Sequence, residues 1–521
     1  MLDAPLFPPP LQGSETGGLP ETLEYVLPPR KQADHLVETY WSSMDPLFMF
    51  LDKPRFEHAY RGIFAGTPID VDERIFVSTL NIIFALSAQV SESTAAEKRE
   101  QLSSTYFHRA QELLHLTFWD TGSIELVHCL LLMGQYLQCT SRPQQTWMVV
   151  GFAVRIAQGL GLHRCEASTS ASNIRDRQLI RRTWKACIIM DWTVAVTHGR
   201  PAIISPSVAS LAVRPGDPIE LGEGNVGDEN AERSSEYFAK ALEIYEITYS
   251  IMLGFYFPAP MGRKPAERAD LVHATQREEN LSNAIQFDGS LTRWERSLPS
   301  HLSLDRSGAF AGEVFHKQAV ILRLRLFHAR ILLFRPLLVR FCVDQPGGTD
   351  RSEEGSLGDA VLESCAAICV RTARGMIALL LQYHSQNSGI GVLPLWWYRV
   401  FYIYTAATIL AAATLRPAQF PRSEISESWN QALLLLRAHE GLSDAVRVFT
   451  TALQTLFSKV QETQNGSAYG WDGAGGLPDA LDAAHGVADG IYPDAGFDID
   501  SIIFGADDVA WLSSWQSLNN E

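Results

Sequence analysis

From residue 33 to residue 460, apolar positions recur at three- and four-residue spacing, the period that lays one stripe along a helix. The pattern predicts helices over 74–89, 95–116, 124–137, 144–160 and 174–196. It resumes over 232–256, 271–298, 313–342, 360–383, 393–415 and 425–460. Alternation of period two is nearly absent. The first helical stripe starts at Ala33 and runs through His35, Leu36, Tyr40 and Trp41. Pro46 and Pro54 then predict a bend followed by a short second helix. Residues 201–230, with Pro206, Pro215, Gly216 and Pro218, read as a polar loop, and 344–358 and 416–422 as flexible insertions. No fixed-period repeat is present, which argues against a regular solenoid. The fold class expected is all-α: a large irregular multi-helix domain over 33–460.

The ends differ from this body. Residues 1–32 are rich in Pro, Gly and Glu and read as a disordered arm or linker. Residues 461–521 hold no Lys or Arg, many Asp, and the glycine run Gly473-Ala474-Gly475-Gly476. Embedded in this acidic tail are Phe497, Ile499, Ile502, Ile503, Phe504, Val509, Trp511 and Leu512. Acidic neighbours keep such side chains solvated until a partner groove accepts them as a short amphipathic helix. An inert solubilising tail would need no such cluster, so a coactivator-binding segment is the reading adopted.

Composition narrows the partners. The hydrophobic fraction is 46%, ordinary for a globular chain, and the net charge is −16. Phosphate backbones repel such a chain, so direct DNA binding by it is not expected. Arg175, Arg177, Arg181, Arg182 and Lys185 form a local basic cluster, read as a solvated helix face with a role in nuclear import. The seven cysteines match no zinc spacing and sit in apolar patterns, as buried reduced thiols do. Cys365 and Cys369 are one turn apart, but two ligands do not make a structural zinc site. No secretory signal is visible. The most apolar run, 400–415, falls short of the about 20 residues a bilayer needs and reads as a core helix.

Catalytic motifs are lacking. There is no Gly-x-Ser-x-Gly elbow, phosphate loop or His-Glu-x-x-His. Asp507-Asp508 lies in the tail, away from any helix lining a cavity. The alternative enzyme reading is an all-helical cyclase gripping a diphosphate through aspartates and magnesium, and the helical body carries no such aspartate cluster.

Several separated blocks remain. One is Trp147, Gly151, Ala153, Ile156, Ala157 and Gly159-Leu160-Gly161-Leu162-His163-Arg164. Another is Arg181-Arg182-Thr183-Trp184, Asp191 and Gly199-Arg200-Pro201. Weaker ones are Tyr40–Phe56, His328–Pro336, and Cys365–Leu380 followed by Trp396-Trp397. Together they resemble the regulatory middle domain of fungal zinc-cluster transcription factors. Physically, Gly151 and Ala153 suit close helix packing, and Gly159 and Gly161 supply left-handed conformations. His163 and Arg164 would meet the carbonyl end of their helix, and Asp191 and Arg200 would pair across the turn at Gly199. Arg335-Pro336 would end a leucine-rich helix.

The resemblance implies a nuclear transcription regulator of a metabolic or secondary-metabolite pathway, without enzyme activity. Its expected partners are a coactivator on the tail, a small-molecule effector, and a DNA-binding partner or second copy. A cysteine-rich zinc module precedes the middle domain in that family. Here the first cysteine is Cys129, so no cofactor is expected in this chain, and zinc only if a cluster precedes residue 1.

Overall fold

The computed structural model describes residues 25–114, 122–140, 142–164, 174–212, 229–257, 269–305, 312–343, 357–384 and 391–466. The arm up to residue 24, the tail from residue 467 and Cys165 lie outside these ranges. Among the described residues all regular structure is helical.

The first half comprises α1 (Arg30–Ser43), α2 (Asp45–Phe48), α3 (Lys53–Ala65), α4 (Glu73–Val90), α5 (Ala96–Leu113), α6 (Ile124–Cys139), α7 (Pro143–Gly159) and α8 (Ile174–His198). The second comprises α9 (Pro206–Ala212), α10 (Glu229–Phe255), α11 (Ala269–Arg296), α12 (Glu313–Val343), α13 (Leu357–His384), α14 (Trp396–Ala413), α15 (Arg422–His439) and α16 (Asp444–Gly466). Helix starts follow the side-chain rules: Asp52, Asp72 and Ser123 accept from backbone N–H groups in the first turns of α3, α4 and α6.

In the first half α4 packs against α1, α5 and α6, and α6 against α7 and α8. In the second, α12 meets α11, α13 and α14, and α14 meets α15 and α16. Helix α10 joins the halves by packing on both α8 and α12, and one hydrophobic core runs through the whole. Helix α4 is buried continuously from Phe76 to Val90, so its polar side chains need internal partners. Ser87 Oγ donates to the Leu36 carbonyl at 2.7 Å and Gln89 Nε2 to Ser103 Oγ at 2.7 Å, while Asn81 donates to the Val77 carbonyl and its own Oδ1 accepts nothing. The apolar run 400–415 forms most of α14, a core helix as expected. Helix α13 is long and apolar enough to cross a membrane, yet Leu362, Cys369, Ala373, Met376 and Leu380 form a buried stripe on it, and it packs against α12, α14 and α15.

Several boundaries differ from the sequence pattern. Pro46 and Pro54 occupy first turns, where a missing N–H costs nothing, so they start α2 and α3. The expected loop after residue 201 contains α9. The single helix expected over 425–460 is two, parted at Glu440–Ser443. The helix expected over 313–342 spans Glu313–Val343, and it runs through the Arg335-Pro336 step where the family-like block suggested an end. Pro336 has no N–H for the carbonyl of Leu332. The Tyr256 hydroxyl donates to that carbonyl at 2.8 Å, so the helix passes through the proline without an orphaned acceptor.

Candidate functional site

Both motif blocks are helix ends. Gly161 has φ +75°; the Leu162 N–H donates to Ala157 O and the Gly161 N–H to Gln158 O, each at 3.0 Å. This is the double bond pattern of a Schellman cap with glycine at its left-handed position. Gly199, φ +61°, repeats the device at the end of α8, where the Arg200 N–H donates to Ala195 O at 3.1 Å. Gly159 is simply helical. The Ala157 and Gln158 carbonyls are therefore taken by backbone N–H groups. Arg164 is exposed, while His163 is half-buried with its ring 5.8 Å from that of Trp184. Burial, with Arg164 beside it, pushes the His163 pKa below the usual range, so the ring is neutral near pH 7.

The ion pair expected between Asp191 and Arg200 does not form. Asp191 Oδ2 accepts from the Ile204 N–H at 2.7 Å. Arg200 instead lies over the Trp147 ring, 5.0 Å from its centroid. The Ile204 carbonyl accepts from the Trp192 indole at 2.8 Å, and the Ala202 N–H donates to Tyr249 Oη at 3.1 Å. A Cβ on Gly151 would lie 3.1 Å from Ile203 Cδ1, so the glycine admits this segment closely, and Ala153 is fully buried. Pro201 and its neighbours are thus strapped back across α7, α8 and α10. Burial raises the Asp191 pKa to about 6, with the backbone donors working against it.

The expected solvated basic face on α8 is partly turned inward. Arg175 grips Asp52 with Nε–Oδ2 at 2.7 Å and Nη2–Oδ1 at 2.6 Å, and Arg55 Nη2 reaches Asp176 at 2.8 Å. These two crossed pairs clamp the start of α3 to the start of α8. Burial alone would raise the Asp52 pKa, but Arg175 and the Arg55 N–H hold it below its ordinary value. Deeper in, Arg182 and Asp45 face each other without a hydrogen bond, and Asp45 Oδ1 is sealed from solvent without a partner. Burial lifts the Asp45 pKa to about 7, against the pull of Arg182 and Lys53. His128 Nε2 and Thr183 Oγ1 are 2.8 Å apart, and burial lowers that histidine to about 3. Trp184 is 1% exposed at the centre of this layer.

The Asp45-Pro46 step and the Arg182–Trp184 block, far apart in sequence, therefore meet in space. A profile of the fungal specific transcription factor domain matches residues 37–296. A sorbicillinoid biosynthetic cluster transcription factor of Penicillium rubens is 32% identical over 517 residues, 98% of this chain and 72% of that protein. The chain belongs to the fungal-specific transcription factor family.

A second family relative, the sorbicillinoid biosynthetic cluster transcription factor sor3 of Hypocrea jecorina, is 33% identical over 92% of this chain and 67% of its own length. Transcription factor FBD3 of Gibberella moniliformis is 24% identical over 76% of this chain. No solved structure matches the chain. The family assignment makes the protein a transcription regulator. Within it, Trp147, Gly151, Gly161, Asp191, Gly199, Arg200 and Pro201 hold helix ends and the strap, and Trp184 packs at the centre of the α8 layer. Sequence reasoning missed Asp45, Asp52 and His128 as polar partners of α8. Only the Asp45-Pro46 step carried a signal. The eight tail residues from Phe497 to Leu512 lie outside the described residues.

Proposed function

We propose that this protein regulates a secondary-metabolite gene cluster from the nucleus, its helical body controlling an activation segment in the tail. What supports this most is the 32% identity to a biosynthetic-cluster regulator across 98% of the chain. A second cluster regulator aligns over 92%, which favours a cluster making sorbicillinoid-like products. In this reading Phe497, Ile499, Ile502, Ile503, Phe504, Val509, Trp511 and Leu512 dock into a coactivator groove, and flanking acids speed the encounter. DNA is read by a zinc module or a partner protein. Deleting the gene and sequencing total RNA tests the regulatory role: transcripts of one contiguous biosynthetic cluster should fall, and an unchanged transcriptome refutes it. Fusing 461–521 to an unrelated DNA-binding domain tests the tail. A silent reporter removes the activation segment from the proposal.

A further inference from the structure

Arg325, in the middle of α12, is a cation without an anion. The groups that surround it are the phenols of Tyr237, Tyr245, Tyr402 and Tyr398. Its guanidinium carbon lies 4.8 Å from the Tyr245 ring centroid and 5.9 Å from that of Tyr237. Four helices build this surround. Tyr237 and Tyr245 come from one face of α10, Tyr398 and Tyr402 from successive turns of α14, and Gln138 from the end of α6, accepting from the Tyr398 hydroxyl at 2.9 Å. Among the described residues no carboxylate pairs with Arg325.

The unsatisfied atoms share a polarity. Arg325 Nη1 and Gln138 Nε2 are sealed from bulk solvent and lack partners, while the Tyr237 and Tyr402 hydroxyls lie against the guanidinium. The amide and guanidinium nitrogens only donate, and each hydroxyl can donate as well. Ring faces soften the charge of a guanidinium but do not neutralise it. A lone charge at this depth is costly, and apolar replacement of such groups is commonly neutral or stabilising. Such a convergence of idle donors is what a binding site for an acceptor presents. The cluster can be reached from solvent as well: Arg325, Tyr245, Tyr398 and Gln138 each keep part of their surface accessible, whereas Tyr237 and Tyr402 are buried.

We propose that Arg325, with Tyr237, Tyr245, Tyr398, Tyr402 and Gln138, forms the effector site of this regulator, and that the effector is a singly charged organic anion with an apolar or aromatic body. The one positive charge sets the ligand's charge: a carboxylate balances it, whereas phosphate at −1.5 to −2 (roughly) would bury an excess negative charge. The tyrosine rings set the apolar body. The proposal rests on the regulatory reading above, but its test does not.

The test is a fluorine NMR titration of the purified full-length chain with 4-fluorobenzoate, beside its methyl ester and inorganic phosphate. Saturable binding of the carboxylate in the millimolar range suited to so small a probe is expected, with no binding of the ester. Arg325→Met should weaken binding by roughly tenfold or more, as loss of a charge-assisted pair does. It should also raise the melting temperature of the unliganded protein, because an uncompensated charge is gone. Tyr237→Phe, which removes one hydroxyl beside the guanidinium and keeps the ring, should keep the fold and weaken binding several-fold. Absence of saturable carboxylate binding, or equal binding by Arg325→Met, overturns the site. A lower melting temperature for Arg325→Met assigns the arginine to the fold and overturns it too. Tighter binding of phosphate than of carboxylate overturns the charge argument. Because binding is read on the purified protein, failure here is distinct from a negative transcript result.

Discussion

At the scale of single residues, the informative side chains are those whose charge is at odds with their surroundings. Asp45 is one. Its pKa is lifted from 3.8 to about 7, so the folded protein binds a proton there that the unfolded chain releases near pH 4. A raised folded-state pKa gives a stabilising contribution that is complete below the unfolded value and is lost as pH rises through about 7. Asp45→Asn has no such dependence. It should match the parent near pH 4 and exceed it at pH 8, by about 2 kcal/mol once the bare shift is halved for relaxation around a partly exposed group. Urea denaturation at the two pH values measures this; a variant less stable at pH 8 would show that the ionised carboxylate is held by Arg182 after all. The Asp-Pro step was visible in the sequence, but its electrostatics were not. They depend on Arg182 in α8, which only the folded chain brings close. Asp191 and Arg200 likewise find other partners than each other, the Ile204 N–H and the Trp147 ring.

At the scale of elements, helix stops were legible where backbone geometry alone decides them. Gly161 was readable because a left-handed residue past a helix end favours glycine, and at Gly199, where only a turn was expected, the same cap is found. Gly159 was misread, since two glycines in one motif offer two places to stop and only the cap bonds choose. The two positions make an internal control. Gly161→Ala forces a Cβ into φ +75° and should cost about 1–2 kcal/mol. Gly159→Ala meets nothing within 4 Å and should be neutral or stabilising by about 0.5–1 kcal/mol. Thermal melts of the two variants settle the assignment, and equal losses would contradict it. Pro336 shows the opposite limit. A proline predicts a break only if its orphaned carbonyl stays orphaned, and Tyr256, on the turn after α10, supplies the missing donor. A local rule fails there for a non-local reason.

At the scale of the molecule, the all-α body was legible from periodicity, and the described helices run from Arg30 to Gly466. What no local pattern conveys is that the two halves share one core. The family profile ends at Arg296, the last residue of α11. That boundary cuts through packed surfaces. Helix α10 lies against α8 on one side and α12 on another, and α12 carries Leu322, Leu324, Leu326, Ile331 and Leu333, each at most 1% exposed. Ending the chain after residue 305 would strip α12 to α16 away. Each large apolar side chain left uncovered on α10 and α11 would forfeit about 1.5–3 kcal/mol of burial, and a few such losses equal the whole stability of an ordinary domain. Fragment 25–305 is therefore expected to aggregate or melt without a cooperative transition, whereas 25–466 should unfold in one. Circular dichroism melts and size-exclusion profiles of the two fragments check this. A monomeric 25–305 with a sharp transition would mean that the first half folds alone and that α10 tolerates an open face, so the halves could move as separate bodies. A single transition for 25–466 would instead couple Arg325, at the α10–α12–α14 junction, to every helix through the shared core, which is what an effector needs if binding there is to be felt elsewhere in the chain.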